Sequence, residues 1–282
     1  MTIVERRLAM PLIEARLLGC GLWVMSAFSA CVTGRENADN EPAQRMEPAV
    51  ALSAARSAPF VAMSAGPLSS ASASVAAPMG PAEVVTLPVE GDLPASLVKG
   101  LLGRPPAIVF LPGLCSNANA YLQGFPEAAR AAGGVVAIDG EKPCVPGFRS
   151  FIRDPPKQHA RIQAAFQAAG LASMPPEGVT IVGYSQGASI AEDLVEKYPA
   201  IYTRVVLMGS PKDPASHRIK GVRAAGTMSC SLDVPGRMKQ GAKKLEALGV
   251  AARYFEMPGC THGNLADGDR VFGDVFAFLA SH

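Results

Sequence analysis

Charged residues are scarce in this chain of 282 residues. Lys, Arg, Asp and Glu make up 18% of it and the formal net charge is only +2, whereas about a quarter of an ordinary globular domain is charged. A nearly neutral chain offers no electrostatic footprint for nucleic acid. Metal-binding patterns are also missing, because the chain has neither a Cys-x-x-Cys nor a His-x-x-x-His pair. We therefore expect no nucleic-acid partner and no metal.

The N-terminus has no apolar run long enough for a confident membrane span. Three arginines precede "LLGCGLWVMSAFSA", a short apolar run that ends just before Cys31, and this order is typical of an export signal. The small residues directly before Cys31 are similar to a bacterial lipoprotein signal, although Phe28 replaces the usual aliphatic residue. We predict a signal segment over residues 1–31 with Cys31 lipidated, translated from Met1 or Met10, and membrane contact only through that lipid.

Two alternatives to the lipoprotein signal stay open. One is ordinary secretion with cleavage near Ser29, and the other is an uncleaved anchor or a cytoplasmic chain. Residues 32–81 follow as a stretch of Ala, Ser, Pro and Met without helix or strand periodicity. Such a segment cannot bury enough surface to offset its ordering entropy, so we predict a disordered linker before a domain at 82–282. The oligomeric state is left open by the sequence.

Apolar strand-like runs alternate with helical patterns from about residue 83 to the end of the chain. The predicted strands are "PAIVFLPG", "GGVVAID", "GVTIVG", "RVVLMG", "VRAAGTMS" and "AARYFEM", and "EVVTLPV" predicts one or two antiparallel edge strands. The predicted helices are "NAYLQGFPEAARAA", "QHARIQAAFQAAG", "SQGASIAEDLVEKY", "GRMKQGAKKLEALG" and "GDRVFGDVFAFLAS". This alternation indicates a single α/β domain whose mostly parallel sheet is covered on both faces.

The stretch "VTIVGYSQGASIAEDL" contains a Gly-x-Ser-x-Gly match centred on Ser185. The match alone is weak, but a strand before it and a helix after it are typical of a nucleophile elbow. Gly183 and Gly187 are then needed where a Cβ would strike the neighbouring strand or helix. The alternative is a glycine-rich turn that carries no chemistry.

A serine nucleophile needs a base, and the chain has four histidines. His262 in "PGCTHGNL" follows the last strand, at the sheet edge where such folds place their sites, so we predict it as the base. A histidine that only caps the next helix is the alternative. For the acid we predict Asp233, at the end of the penultimate strand, with Asp213 as the alternative. The order Ser–Asp–His is that of α/β-hydrolases.

An oxyanion also needs backbone N–H donors. Gln186, directly after the serine, supplies one, and the loop after "IVFLPG" should supply the other from Leu114 or Cys115.

Four cysteines remain after the signal segment, and an even number in an exported domain favours disulfides, with three possible connectivities. Cys230 and Cys260 end adjacent predicted strands just before the acid and the base. We predict a Cys230–Cys260 disulfide that braces both loops, and Cys115 and Cys144 are similarly placed at the ends of two earlier strands. Free buried thiols are the alternative.

The elbow, the "FLPGL" turn, Asp233 and His262 together resemble the α/β-hydrolase superfamily over about residues 83–282. The resemblance implies an eight-stranded, mostly parallel sheet and two-step acyl transfer. "GYSQGA" is also similar to cutinases and carboxylesterases. Cutinases bracket the acid with a cysteine pair, whereas only Cys230 is near Asp233, so the polymer substrate is not carried over. Pro112-Gly113 stands where many relatives have His-Gly.

The connection after "RVVLMGS" is only "PKDPASHRIKG", which leaves no room for a cap domain and predicts an open site. We expect a cofactor-free serine hydrolase that cleaves small-molecule or lipid-like carboxylic esters. Three alternatives stay open. An acyltransferase or a peptidase would use the same triad, and a surface lipoprotein would carry these residues without catalysis.

Overall fold

The structure is a computed structural model that describes residues 80–282. The predicted signal segment, its lipidation candidate Cys31 and the linker up to residue 79 lie outside the described residues. Between residues 80 and 282, none of the helices combines the length and the apolar character that crossing a bilayer requires.

An eight-stranded sheet is the centre of the described domain, and its strand order is β1-β2-β4-β3-β7-β8-β9-β10. The strands in residues 80–282 are β1 (Val84–Leu87), β2 (Ala95–Lys99), β3 (Ile108–Leu111), β4 (Gly134–Ala137), β5 (Lys142–Val145), β6 (Phe148–Ser150), β7 (Val179–Tyr184), β8 (Tyr202–Met208), β9 (Ala224–Cys230) and β10 (Ala251–Met257). The helices are α1 (Ala118–Leu122), α2 (Pro126–Ala131), α3 (Pro155–Ala168), α4 (Gln186–Lys197), α5 (Ser216–Ile219), α6 (Pro235–Ala247) and α7 (Gly268–Ala280).

The sheet is parallel from β4 to β10, and β1 and β2 are antiparallel to their neighbours. Every residue of β3, β4, β7 and β9 is buried, as expected for strands with helices on both faces. Two separate apolar cores lie on the two faces of the sheet. The predicted fold class, a single α/β domain with a mostly parallel eight-stranded sheet, is confirmed.

Local differences from the prediction have simple causes. The single helix predicted from "NAYLQGFPEAARAA" is two helices, because Pro126 has no N–H to continue a helix and instead begins α2. Gly124 lies at the break, where a Cβ would come within 2.6 Å of Leu265. The hairpin of β5 and β6, which forms a separate two-stranded sheet, and the short helix α5 were not predicted.

Candidate active site

Ser185 lies on the turn between β7 and α4, with φ 51° and ψ −111°. A positive φ is uncommon for a residue with a side chain, and such a residue persists only where its surroundings hold it. The two flanking glycines explain how the turn closes. A Cβ at Gly183 would lie 2.3 Å from the carbonyl oxygen of Gly187, and one at Gly187 would lie 2.1 Å from that of Leu111. The turn therefore needs glycine at both predicted elbow positions.

Three of the predicted residues meet at the carboxyl edge of the sheet. The Oγ of Ser185 lies 3.0 Å from Nε2 of His262, and Nδ1 of His262 lies 2.8 Å from Oδ2 of Asp233. An ionised carboxylate only accepts hydrogen bonds, so Nδ1 carries a proton and its N–H donates a hydrogen bond to Oδ2 of Asp233. Nε2 is then free to accept the hydroxyl proton of Ser185. The Asp233 side chain is 10% exposed and that of His262 is 45% exposed, so most of the acid is shielded and the imidazole faces solvent.

The alternative residues lie elsewhere. Asp213 has a side chain that is 69% exposed, and its carboxylate oxygens are 3.6 Å from Arg237 Nε and Lys244 Nζ. His159 is on α3, where its Nδ1 lies 2.8 Å from the Tyr202 hydroxyl. Of the candidate acids and bases, the structure brings only Asp233 and His262 to Ser185 among the residues it describes.

The predicted oxyanion donors belong to the two chain segments next to Ser185. Gln186 is the first residue of α4, so its N–H is one of those for which the helix has no acceptor, at the positive end of the helix dipole. The loop that carries Leu114 also lies against the serine, because a Cβ at Gly113 would be 3.2 Å from the Cβ of Ser185. Cys115, next in that loop, has a φ of 49°.

No protein-family model matches the chain, and no curated protein matches its sequence. A predicted CIB-like hydrolase from Thermoplasma acidophilum superimposes with a TM-score of 0.52 at 14% identity, covering 71% of this chain and 99% of its own. A Pyrobaculum calidifontis esterase gives a TM-score of 0.50 at 15% identity, covering 72% of this chain and 86% of its own. This chain has the α/β-hydrolase fold.

A third α/β-hydrolase structure is also similar. FphF, a fluorophosphonate-binding serine hydrolase of Staphylococcus aureus, gives a TM-score of 0.52 at 9% identity, covering 71% of this chain and 99% of its own. At such identities the likeness concerns the fold of residues 80–282 and not the activity.

Two disulfides hold loops of this α/β-hydrolase domain at the carboxyl edge. Cys230 pairs with Cys260, with a Cα–Cα distance of 5.0 Å, and Cys115 pairs with Cys144 at 5.5 Å. The first links the end of β9 to the β10–α7 loop, just before Asp233 and His262. The second links the β3–α1 loop to the β5–β6 hairpin. The structure thus adopts one of the three connectivities that the sequence left open, and it contains the predicted Cys230–Cys260 pair.

The side chain of Gln186 has a role that the sequence did not indicate. Its Oε1 accepts a hydrogen bond from the N–H of Phe151 at 2.9 Å, and its Nε2 donates to the carbonyl of Phe151 at 3.2 Å. This paired contact ties the start of α4 to the chain just after β6. The partners are 35 residues apart, so no local pattern could have announced the contact.

The site is open to solvent, as the short connection after β8 predicted. That connection contains only the four-residue helix α5, and His262 is exposed. A cavity of about 270 Å³ lies beside the loop of His262, lined by Ala120, Tyr121, Gly124, Gly263, Asn264 and Leu265. In the described part of the chain, no group of three or more His, Cys, Asp or Glu side chains could hold a metal ion.

Proposed function

We propose that the protein is a serine hydrolase that cleaves carboxylic esters through an acyl-enzyme on Ser185. The observation that carries the proposal is the unbroken chain of contacts from Asp233 through His262 to Ser185, with distances of 2.8 and 3.0 Å. Ser185 lies on a strained turn after a strand, which is where an α/β-hydrolase fold places its nucleophile. Hydrogen-bonded nucleophile, base and orienting acid are the signature of acyl transfer.

The first half of the reaction transfers the acyl group to the protein. Ser185 Oγ attacks the ester carbonyl carbon while its proton moves to Nε2 of His262. Asp233 holds the imidazole in the reactive tautomer and stabilises the imidazolium, and it keeps its own charge throughout. The ester C–O bond then breaks, and the leaving alcohol takes the proton from Nε2.

The second half returns the serine. His262 removes a proton from water, the resulting hydroxide attacks the acyl carbon, and the proton goes back to Ser185 Oγ as the carboxylic acid leaves. In both halves negative charge develops on the carbonyl oxygen. The backbone N–H groups of Gln186 and Leu114 stabilise that charge, Gln186 with the help of the α4 dipole. All of these steps use groups of the protein and water.

The surroundings of Ser185 favour accessible, partly apolar esters. Exposed apolar side chains lie on the loops of the site: Leu114 follows Gly113, Leu232 precedes Asp233, and Phe148 is on the hairpin that is disulfide-bonded to Cys115. Such side chains can cover a hydrocarbon group without a closed tunnel. The substrate class that follows is small-molecule or lipid-like esters rather than a ligand enclosed in a deep pocket.

The two disulfides support an exported location. Disulfides persist in oxidising compartments and are rare in the cytosol. Together with the predicted signal segment at 1–31, they favour a secreted protein or a lipoprotein anchored through Cys31.

Labelling with a fluorophosphonate probe tests the nucleophile directly. We expect wild-type protein to be labelled and Ser185→Ala to be unlabelled, because the probe reacts only with an activated serine. Ser216→Ala, which changes a serine of α5 whose hydroxyl takes no part in the hydrogen bonds of the triad, is the matched control and should be labelled like wild type. Absence of labelling in folded wild-type protein would remove the proposal.

Substrate assays then separate esters from peptides. Hydrolysis of short chromogenic esters without cleavage of chromogenic peptide amides is the expected result. Preferential peptide cleavage would overturn the ester assignment while leaving the nucleophile in place.

A further inference from the structure

The residue that follows His262 is held from both sides by tyrosine hydroxyls. The N–H of Gly263 donates a hydrogen bond to the hydroxyl of Tyr184, and its carbonyl accepts one from the hydroxyl of Tyr121 at 2.9 Å. Tyr184 is the last residue of β7, directly before Ser185, and Tyr121 is on α1. Gly263 is therefore fixed by groups 79 and 142 residues away in the chain.

The loop needs such contacts, because little else covers it. Residues 261–264 are all exposed, so the base lies on a segment without a packed apolar side chain of its own. Cys260 anchors the loop before His262 through its disulfide. Gly263 has a φ of 93°, in the positive range that glycine adopts readily and residues with a side chain adopt only rarely. The tyrosine contacts anchor the residue directly after His262.

The tyrosine rings also pack around the base. The ring of Tyr184 is 5.1 Å from that of His262 and 5.2 Å from that of Tyr121, measured between centroids. Tyr184 is 3% exposed, so its ring packs against the imidazole from the buried side. Burial raises the pKa of both hydroxyls, so they stay protonated and neutral.

We propose that Tyr184 and Tyr121 are positioning residues that hold the peptide groups of Gly263 and thereby keep the His262 imidazole within reach of Ser185. The inference rests on the proposed function, because it assigns the two hydroxyls to the orientation of the proposed base. Since Tyr184 and Ser185 are consecutive, one strand end positions the nucleophile directly and the base through the hydroxyl. A misplacement of about 1 Å can lower a rate about a hundredfold.

The test is removal of single hydroxyls. Tyr184→Phe and Tyr121→Phe should lower kcat on a chromogenic ester by roughly ten- to a hundredfold and leave KM unchanged, because the base is displaced and the substrate contacts remain. Tyr202→Phe is the matched control, because that buried tyrosine hydroxyl contacts His159 and not the site. It should lose stability like Tyr184→Phe and keep the wild-type kcat.

A readout independent of turnover separates this inference from the proposed function. In NMR spectra of Tyr184→Phe, the downfield signal of the proton in the His262–Asp233 hydrogen bond should be weaker than in wild type. The amide proton of Gly263 should also exchange with solvent faster than in wild type. If wild type neither hydrolyses esters nor labels, the proposed function fails and these signals still decide the positioning role. Wild-type signals and kcat in Tyr184→Phe, or an equal loss of kcat in Tyr202→Phe, would overturn the inference.

Discussion

The loops at the amino ends of the parallel strands and those at their carboxyl ends, called here the amino edge and the carboxyl edge, differ in which residues adopt positive φ. On the amino edge, the loops that precede β4, β7 and β10 place glycines at positive φ: Gly133, Gly178 and Gly249. On the carboxyl edge, residues with side chains also adopt positive φ. The three non-glycine residues with positive φ between 80 and 282 are Cys115, Ser185 and Asp267. Each such residue stores about 1–3 kcal/mol of strain. The glycines of the amino edge close their turns without this cost, whereas the carboxyl edge carries it at three positions that have side chains.

The largest effect expected from this contrast is on turnover at the carboxyl edge. Asp233→Asn should lower kcat about 10³- to 10⁴-fold, because an amide can favour the imidazole tautomer that keeps the proton on Nε2. Asp213→Asn, at the exposed alternative acid, should change kcat little. Ester hydrolysis by the two folded variants checks both. A large loss of kcat in Asp213→Asn would show that the assignment of Asp233 as the acid is wrong.

The two disulfides permit a comparison within the carboxyl edge. They close loops of nearly equal length, with separations of 29 and 30 residues, so chain entropy predicts nearly equal stabilisation of about 3.6 kcal/mol each. Cys230 and Cys260 are also buried in the apolar core, whereas Cys115 is exposed. The double variant Cys230→Ser/Cys260→Ser should therefore lose more free energy of unfolding than its counterpart at Cys115 and Cys144, because it also places two hydroxyls among apolar side chains. Denaturant titration measures both. Equal losses would mean that loop closure alone sets the contribution of each disulfide.

Smaller effects, of opposite sign, are expected on the free energy of unfolding when a residue at positive φ is changed to glycine or a glycine at positive φ is changed to alanine. Ser185→Gly should abolish labelling and raise the free energy of unfolding by about 1 kcal/mol, because it releases the strain of that turn. Gly249→Ala should lower it by about 1 kcal/mol, since φ there is 81° and a Cβ meets no atom within 4 Å. Thermal unfolding of both variants checks the signs. If Ser185→Gly is also destabilised, the strain is not where we place it.

The smallest effect concerns His159, which takes no part in the proposed chemistry. Burial lowers the pKa of His159, which contacts Tyr202 at the start of β8. Below the ordinary pKa of about 6.5, the unfolded chain then binds a proton that the folded protein resists, so His159 makes the free energy of unfolding fall as the pH falls. His159→Gln should show a shallower loss between pH 7 and pH 5, measured by denaturant titration. An identical pH dependence in both proteins would contradict this sign.

Much of the fold was predictable because its signals are local. The buried strands are continuous apolar runs, and the elbow, with Ser185 between a strand and a helix, is readable from its glycines. Asp233 and His262 were reachable because chain order and strand ends place them at one edge. These inferences need only neighbours in sequence and the rule that parallel strands end together.

What the sequence did not indicate depends on distant contacts. The β5–β6 hairpin has exposed residues and Pro143 inside a strand, so it lacks the apolar alternation that marks strands. The contact of Gln186 with Phe151, and those of Tyr184 and Tyr121 with Gly263, join residues far apart in the chain. Such pairs exist only once the sheet has assembled, and no residue pattern encodes them.

The exposure of His262 bears on how an acyl-enzyme on Ser185 would partition between competing acceptors. A base that faces bulk solvent receives its second reactant by diffusion, since none of the loops described closes over it. Selection among water and alcohols would then follow their concentrations and nucleophilicities more than a built acceptor pocket. If the proposed acyl-enzyme forms, adding a short alcohol should divert product from acid to new ester in proportion to the alcohol concentration, and most strongly where water is scarce.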